Sequence, residues 1–180
     1  MPAPLTLACH PSSHCPAVQS VSVAVQRRQA TIELKYSLVG ALSDLRIPSV
    51  LSSRINDSLW RHTCFEAFVA LRDVPAYHEM NFSPSGEWAV FSFERYRDGS
   101  LVRDEGCAPR IAFIETRKGL ELSAVVSLDP LGPLYTRSPL RIALSAVIES
   151  TDGKLSYWAL DHPPGEPDFH HPSAFVLNLE

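Results

Sequence analysis

The sequence predicts an all-β fold: an antiparallel β-sandwich of jelly-roll type with about ten strands and little or no helix. Val21, Val23 and Val25 occupy every second position, the pattern of a strand with one face in the core. The same alternation recurs along most of the chain, and Gly- or Pro-containing turns separate the alternating stretches. The fifteen prolines also disfavour long helices. Evenly spaced strands with short turns favour two sheets packed face to face.

Ten stretches carry this alternation and are predicted to be strands. They are residues 21–26, 31–38, 63–71, 76–83, 88–95, 110–117, 120–128, 140–150, 155–160 and 174–179. Turns are expected between them, one of them at Arg97-Asp98-Gly99. Any helix is expected to be a single short turn near Ser43 or Pro130.

Length and composition indicate one globular domain spanning residues 1–180. A chain of 180 residues can form one core, and 45% hydrophobic against 20% charged residues is typical of a folded protein. The formal net charge of −4 provides no broad cationic surface, which argues against nucleic acid as a partner. Exposed strand edges in such a fold would allow a homodimer.

The chain is expected to be cytoplasmic and not bound to a membrane. Its first sixteen residues have neither a basic start nor an uninterrupted apolar run, and no later stretch approaches the ~20 apolar residues of a membrane span. In a reducing compartment its four cysteines are expected to remain thiols, without a structural disulfide: Cys9, Cys15, Cys64 and Cys107.

Two irregular segments, residues 41–61 and 161–172, interrupt the strand pattern and are long enough to be functional loops. Each contains an aromatic residue suited to packing on a sugar ring, Trp60 in the first and Phe169 in the second. Trp88 and Trp158 lie within strand patterns, and core packing is the expectation for both.

Polar residues on two predicted strands supply further candidates. Glu66 shares a strand face with Cys64 and Phe68, where a carboxylate needs either a structural partner or a ligand. On the next strand Glu79 and Asn81 lie on one polar face, shared with Tyr77 and Ser83. That face is either a solvated sheet surface or a surface that hydrogen-bonds the hydroxyl groups of a ligand.

Three motifs together resemble the family nine carbohydrate-binding modules and the related DOMON-like domains, β-sandwich proteins with sugar or haem ligands. They are LWRHTCFEAFV from Leu59, YHEMNF from Tyr77 and FHHPSAF from Phe169. Whole phrases such as LSYWAL are also similar to a group of uncharacterised bacterial DOMON-like proteins.

The resemblance implies a non-catalytic module that binds a small molecule or oligosaccharide. Trp60 and Phe169 would form the two walls of an aromatic clamp, and Glu66 and Asn81 would hydrogen-bond the sugar. Three further residues of the same motifs complete the candidate set: Arg61, Glu79 and His170. Related modules use calcium structurally, but no ligand set for calcium emerges from the sequence.

The chain departs from the carbohydrate modules at three positions. Phe169 stands where they have Trp, Glu79 where they have Arg, and His171 where they have Asp. The resemblance covers most of the chain from about Val18.

Two other functions remain as alternatives. A haem-binding DOMON-type domain would need an axial ligand such as Met80, whose register instead suggests a core position. A metal-dependent enzyme would use the loop of residues 161–171, whose side chains include common metal ligands. The candidates there are Asp161, His162, Asp168, His170 and His171, and a weaker metal candidate is the group Cys9, His10, His14 and Cys15. Nucleophile and phosphate-loop motifs are missing from the sequence, so no catalytic residue is assigned.

Overall fold

The computed structural model describes residues 2–180 and contains twelve strands, all paired antiparallel, with five single 3-10 turns between them. The strands are β1 Leu5–Cys9, β2 Val18–Arg28, β3 Thr31–Gly40, β4 Cys64–Leu71, β5 Tyr77–Phe82, β6 Trp88–Arg95, β7 Asp98–Leu101, β8 Arg110–Thr116, β9 Gly119–Ser127, β10 Leu140–Glu149, β11 Leu155–Ala159 and β12 Leu177–Leu179.

The strands form two sheets, here called the back sheet and the front sheet. The back sheet has the order β1-β2-β3-β9-β8, and the front sheet has the order β7-β6-β5-β4-β10-β11, with β12 paired to the start of β10. Strand β1 belongs to both sheets, since Leu7 pairs with Val21 of β2 whereas Ala8 pairs with Ala159 of β11. The all-β, sandwich-like prediction is therefore confirmed.

The core lies between the two sheets and is built from the inward positions of the alternating pattern. Tyr36 and Leu122 of the back sheet and Phe65, Phe82 and Ile142 of the front sheet are almost completely buried in it. Such burial of large apolar side chains is the main stabilising contribution to folding, about 25 cal/mol per Å² of apolar surface. Trp88, Trp158 and Met80 also belong to this core, as predicted.

All ten predicted strands are present, and two more were not predicted. The missed strands are β1, which follows two prolines, and the short edge strand β7. Single helical turns lie at Leu42–Asp44 and Asp129–Leu131, as expected, and others at Leu59–Arg61, Glu105–Cys107 and Pro172–Ala174. The last of these corrects the predicted strand 174–179. Its first residues form a turn, because Phe175 is buried against the front sheet rather than paired in it.

The turn predicted at Arg97-Asp98-Gly99 lies slightly earlier in the chain. Tyr96 and Arg97 form the reversal between β6 and β7, with Arg97 at φ +56°, and Gly99 is already paired with Phe93. A Cβ atom on Gly99 would lie 2.3 Å from the carbonyl oxygen of Ser92. Glycine is thus required there by close approach of the neighbouring strand and not by the turn.

The outer faces of the two sheets differ. The back sheet presents charged pairs to solvent, such as Lys35 Nζ with Glu121 Oε2 at 3.0 Å. The front sheet is covered by the segment that follows β11, here called the covering segment, residues 161–176. Between this segment and the sheet lies a second apolar cluster, to which the segment contributes Ala174 and Phe175 and the sheet contributes Phe68, Ala70, Tyr77, Phe93 and Ala143.

The interpretation of the β5 face as a solvated surface was wrong. Glu79 is 6% exposed and Asn81 0% exposed, because the covering segment and the neighbouring strands exclude water from this face. The four cysteines are free thiols. None of the helical turns in residues 2–180 has the length and apolar character needed to span a membrane.

Candidate ligand-binding cleft

A cleft of about 880 Å³ opens on the outer face of the front sheet, beside the covering segment. Side chains from β4, β5, β6, β10 and β11 form its floor. Its walls are formed by the covering segment and by four loops or turns, which contribute residues 12–14, Trp60, Arg97 and Lys154. This volume lies within the range of ~300–1,000 Å³ that is usual for small-molecule sites. The candidate residues that line the cleft are Trp60, Glu66, Glu79, Phe169 and His170.

Trp60 stands on a 3-10 turn that holds it at the mouth of the cleft. Leu59, its neighbour in this turn, is buried and anchors the turn, while Trp60 is 47% exposed. The guanidinium carbon of Arg61 lies 5.0 Å from the centre of the Trp60 ring, a cation–π contact. Arg61 itself does not line the cleft. It is therefore placed to orient the indole rather than to touch a ligand.

Phe169 reaches the cleft from the covering segment. Its ring packs edge-on against Tyr157 of β11, with 6.2 Å between ring centres, and also contacts His162. The cleft thus contains aromatic side chains from two loops that are far apart in the chain, one of them supported by a ring on the sheet. Flat apolar surfaces of this kind suit the C–H faces of sugar rings.

Two carboxyl groups form the polar floor. Glu66 of β4 and Asn81 of β5 are directly paired across the strands, and Glu79 lies on the same face two residues from Asn81. Ser145 Oγ donates to Glu66 Oε2 at 3.1 Å, and Asn81 Nδ2 donates to Glu79 Oε1 at 2.8 Å. Asn81 is fully buried beneath the lining residues and reaches the site through Glu79.

Burial makes both carboxyl groups reluctant to ionise. It raises the pKa of Glu66 well above its usual range, and the negative charge of Glu79 raises the pKa further. Burial also raises the pKa of Glu79 to about 7, although the hydrogen bond from Asn81 and the charge of Arg97 oppose this. The floor consequently holds protons at neutral pH, and the two groups titrate as a pair.

His170 connects the covering segment to this floor. Its Nε2 lies 3.5 Å from Glu79 Oε2, and its Nδ1 lies 2.8 Å from the hydroxyl of Tyr77. The backbone N–H of Arg97 donates to that same hydroxyl at 3.1 Å, so the Tyr77 hydroxyl donates to Nδ1 and Nε2–H faces Glu79. Burial and the charge of Arg97 lower the pKa of His170 to about 4, so the imidazole is neutral at pH 7.

A salt bridge fastens the covering segment to the turn between β6 and β7. Arg97 Nη2 donates to Asp168 Oδ1 at 2.8 Å, and the hydroxyl of Tyr96 donates to Asp168 Oδ2 at 2.6 Å. Asp168 also accepts a hydrogen bond from the backbone N–H of His170. The Arg97–Asp168 contact therefore fixes Phe169 and His170 next to the cleft.

Sequence reasoning missed several lining residues. Tyr157 and Phe91 lie on β11 and β6 at positions that alternate correctly, but alternation alone does not say which sheet face carries the site. Arg97 was taken as part of a turn, Ser12 and Ser13 of the amino-terminal loop gave no signal, and His14 was considered only as a metal ligand. The only unusual feature of Arg97 in the sequence is that it is a non-glycine residue in a tight turn. The structure places it at positive φ, an uncommon conformation for such a residue.

The four candidate ligands His162, Asp168, His170 and His171 are each engaged in hydrogen bonds within the protein. His162 Nε2 lies 2.8 Å from the carbonyl oxygen of Ala8, and His171, which is exposed, lies 2.8 Å from Ser173 Oγ through Nδ1. In the part of the chain that the structure describes, no three His, Cys, Asp or Glu side chains are grouped so as to hold a metal ion, which includes the cysteines and histidines near the amino terminus.

A haem group does not fit the residues that the DOMON resemblance would assign to it. Met80 is 1% exposed and packs in the core between the sheets, on the opposite side of the front sheet from the cleft. It therefore could not reach an iron atom bound in the cleft.

Comparisons with known proteins show that this fold occurs in proteins associated with carbohydrates. A protein from Bacteroides uniformis ATCC 8492 for which carbohydrate binding has been proposed superimposes with a TM-score of 0.67 at 17% identity, covering 96% of this chain and 82% of that one. No family model matches the chain, and no curated protein matches it significantly.

Two further similar structures are of a family nine carbohydrate-binding module from Caldicellulosiruptor kristjanssonii. One is a complex with glucose, at TM-score 0.50 and 8% identity, covering 85% of this chain and 72% of that one. The other is a complex with cellotriose, at TM-score 0.50 and 9% identity, with coverages of 85% and 70%. At these identities the likeness establishes a shared fold.

Proposed function

We propose that this protein binds a carbohydrate non-covalently in the cleft of the front sheet, with Trp60 and Phe169 as aromatic walls and Glu66 and Glu79 as hydrogen-bonding floor. One observation carries the proposal. Residues chosen from three separate sequence motifs line a single cleft: Trp60, Glu66, Glu79, Phe169 and His170.

The chemistry of the cleft supports a sugar over a purely apolar ligand. Its lining combines exposed ring faces with buried carboxyl groups, and a sugar presents both C–H faces and hydroxyl groups. The fold shared with modules crystallised with glucose and cellotriose supports the same proposal.

The arrangement supports binding without catalysis of a covalent step. Glu66 and Glu79 are hydrogen-bonded to Ser145 and Asn81, and His170 to Tyr77, so each of these three side chains is held in place by one structural partner. The cleft is well suited to holding a ligand in place, and none of the lining groups forms a nucleophile–base pair.

Isothermal titration of the purified protein with a panel of neutral, amino and acidic oligosaccharides tests the proposal. We expect saturable binding of at least one class, with at least a tenfold loss of affinity in Trp60→Ala. Absence of binding across the whole panel, or binding that Trp60→Ala leaves unchanged, would refute the proposal that a carbohydrate binds in this cleft.

A further inference from the structure

Building on the proposed function, we infer that the cleft selects a sugar carrying a primary ammonium group, a hexosamine unit rather than a neutral hexose, and that Glu66 and Glu79 receive this group. The floor of the cleft contains two buried acids, neither of which forms a salt bridge with a lysine or arginine of the described residues. An ammonium group on the ligand would supply the missing positive charge.

The absence of a cationic partner distinguishes this acid pair from an ordinary buried salt bridge. Within residues 2–180, no lysine or arginine nitrogen lies within 4.0 Å of either carboxyl group, and the contact from His170 to Glu79 at 3.5 Å comes from a neutral imidazole. Arg97, which also lines the cleft, is bound to Asp168 at 2.8 Å. A buried acid without such a partner either keeps a proton or takes up a cation.

The hydrogen-bonding capacity of the floor is also unbalanced. Ser145 is the single donor to the Glu66 carboxyl group among the described side chains and backbone groups, and it reaches only Oε2. Asn81 Oδ1, buried beside these acids, accepts no hydrogen bond at all from the described residues. Once the two carboxyl groups have given up their protons, the floor presents more acceptors than donors, and this excess calls for a ligand rich in donors.

An ammonium group fits this excess better than a hydroxyl group does. It carries three N–H donors and no acceptor, whereas each hydroxyl contributes one donor together with acceptor lone pairs. Hydrogen bonds from a cation to carboxylates are also roughly twice as strong as neutral ones. The aromatic walls, Trp60 and Phe169, would meanwhile pack on the apolar faces of the same sugar.

A divalent metal ion fits the floor less well. Calcium takes 6–8 oxygen ligands, and among the described residues no three acidic, histidine or cysteine side chains are placed so as to hold a metal ion together. A monovalent ammonium group needs only two or three acceptors, which the carboxyl oxygens of Glu66 and Glu79 provide.

Calorimetry with three matched trisaccharides tests the inference at pH 7: the glucosamine trimer, its N-acetylated form and cellotriose. We expect the glucosamine trimer to bind at least tenfold more tightly than the other two. A bound cation displaces protons from the acid pair. The heat of binding of the glucosamine trimer should therefore depend on the ionisation enthalpy of the buffer, which would show proton release. In Glu79→Gln the preference should fall to less than threefold.

The possible results separate this inference from the proposed function. Equal or tighter binding of the N-acetylated or neutral trimer would overturn the amine preference and leave carbohydrate binding intact. A preference that Glu79→Gln does not reduce would also overturn it. Calcium chloride that raises the Tm of the wild type by several degrees, but not that of Glu79→Gln, would assign the acid pair to a metal instead. Failure of all three trimers and of the wider panel would defeat both proposals.

Discussion

His170 Nε2 lies 3.5 Å from Glu79 Oε2, which places two neutralised ionisable side chains in contact where the covering segment meets the front sheet. Burial raises the pKa of the acid and lowers the pKa of the imidazole, so each group resists the charge it would carry in water. The two buried groups give the stability of the protein opposite pH dependences: Glu79 lowers stability as pH rises, and His170 lowers it as pH falls.

Glu79→Gln should change the pH dependence of stability on the neutral side. Native Glu79 keeps its proton up to about pH 7, whereas a glutamic acid in the unfolded chain loses it near 4.5, so the native state binds more protons between these values. The free energy of unfolding of the wild type should therefore fall as pH rises through this window, by up to roughly 3 kcal/mol from this group.

The glutamine variant lacks this loss. Urea denaturation at pH 4.5 and pH 8 should show the variant gaining stability relative to the wild type at the higher pH. Glu33→Gln, at an exposed salt bridge of the back sheet, is the matched control and should show no such trend. A stability difference between Glu79→Gln and wild type that is constant over this range would contradict a raised pKa.

His170→Gln should reveal the opposite dependence on the acidic side. Native His170 stays neutral down to about pH 4, whereas an unfolded histidine takes up a proton near 6.5, so the unfolded state binds more protons in this interval. The wild type should lose stability through His170 as pH falls from 6.5 to 4. Denaturation curves should show His170→Gln losing less over this interval, and a steeper loss in the variant would refute the buried neutral imidazole.

Phe169→Ala should weaken ligand binding with a small effect on folding. The ring is half-buried and lines the cleft, so its removal should lower affinity about tenfold, as loss of an aromatic contact of 1–2 kcal/mol would. Phe169→Trp keeps the aromatic surface and should bind at least as well as the wild type. Titration calorimetry compares the affinities of the three proteins. Equal affinity of Phe169→Ala and wild type would show that the Phe169 ring does not contact the ligand.

Trp60→Ala should leave the free energy of unfolding within about 0.5 kcal/mol of the wild type, because the indole is 47% exposed. Trp88→Ala is the matched comparison, since that indole is 0% exposed in the core and its loss should cost about 3–5 kcal/mol. Urea denaturation measures both. A loss of several kcal/mol in Trp60→Ala would assign the indole to the core.

Gly99→Ala should be strongly destabilising, although its position resembles a simple turn. The new Cβ atom would lie 2.3 Å from the carbonyl oxygen of Ser92, so β6 and β7 would have to separate. Gly153→Ala is the control, because its Cβ would meet no atom within 4 Å and only the positive φ of +84° opposes it. We expect a loss of about 1 kcal/mol there and a clearly larger loss at Gly99, measured as Tm. Equal losses would contradict the close approach.

The alternation of residues predicted most of the fold because one face of each strand packs between the sheets. Val21, Val23 and Val25 show this pattern plainly, and ten strands were found from it. Strand β1 escaped because it is short and changes partners between the sheets at Leu7 and Ala8. Strand β7 was not predicted because glycine is typical of turns, whereas Gly99 is paired with Phe93 in the sheet.

Several residues singled out in the sequence line one cleft, but their burial could not be predicted. Strand alternation predicted that Glu79 and Asn81 share a face, and the family resemblance grouped Glu66 with Asn81. In the structure β4 pairs with β5, with Glu66 directly opposite Asn81. Their burial was not predictable, because it depends on the covering segment folding back from a distant part of the chain and on the Arg97–Asp168 salt bridge that holds it. Long-range contacts of this kind leave no periodic signal in a single sequence.

Nuclear magnetic resonance of the tryptophan indole groups reports whether a bound sugar lies in the cleft of the front sheet. The chain has three tryptophans, of which Trp60 lines the cleft while Trp88 and Trp158 lie in the core. During titration with an oligosaccharide that binds, we expect a saturable shift of the Trp60 indole N–H signal alone. A stationary Trp60 signal at saturation of binding would contradict it, since the ligand would then occupy another part of the molecule.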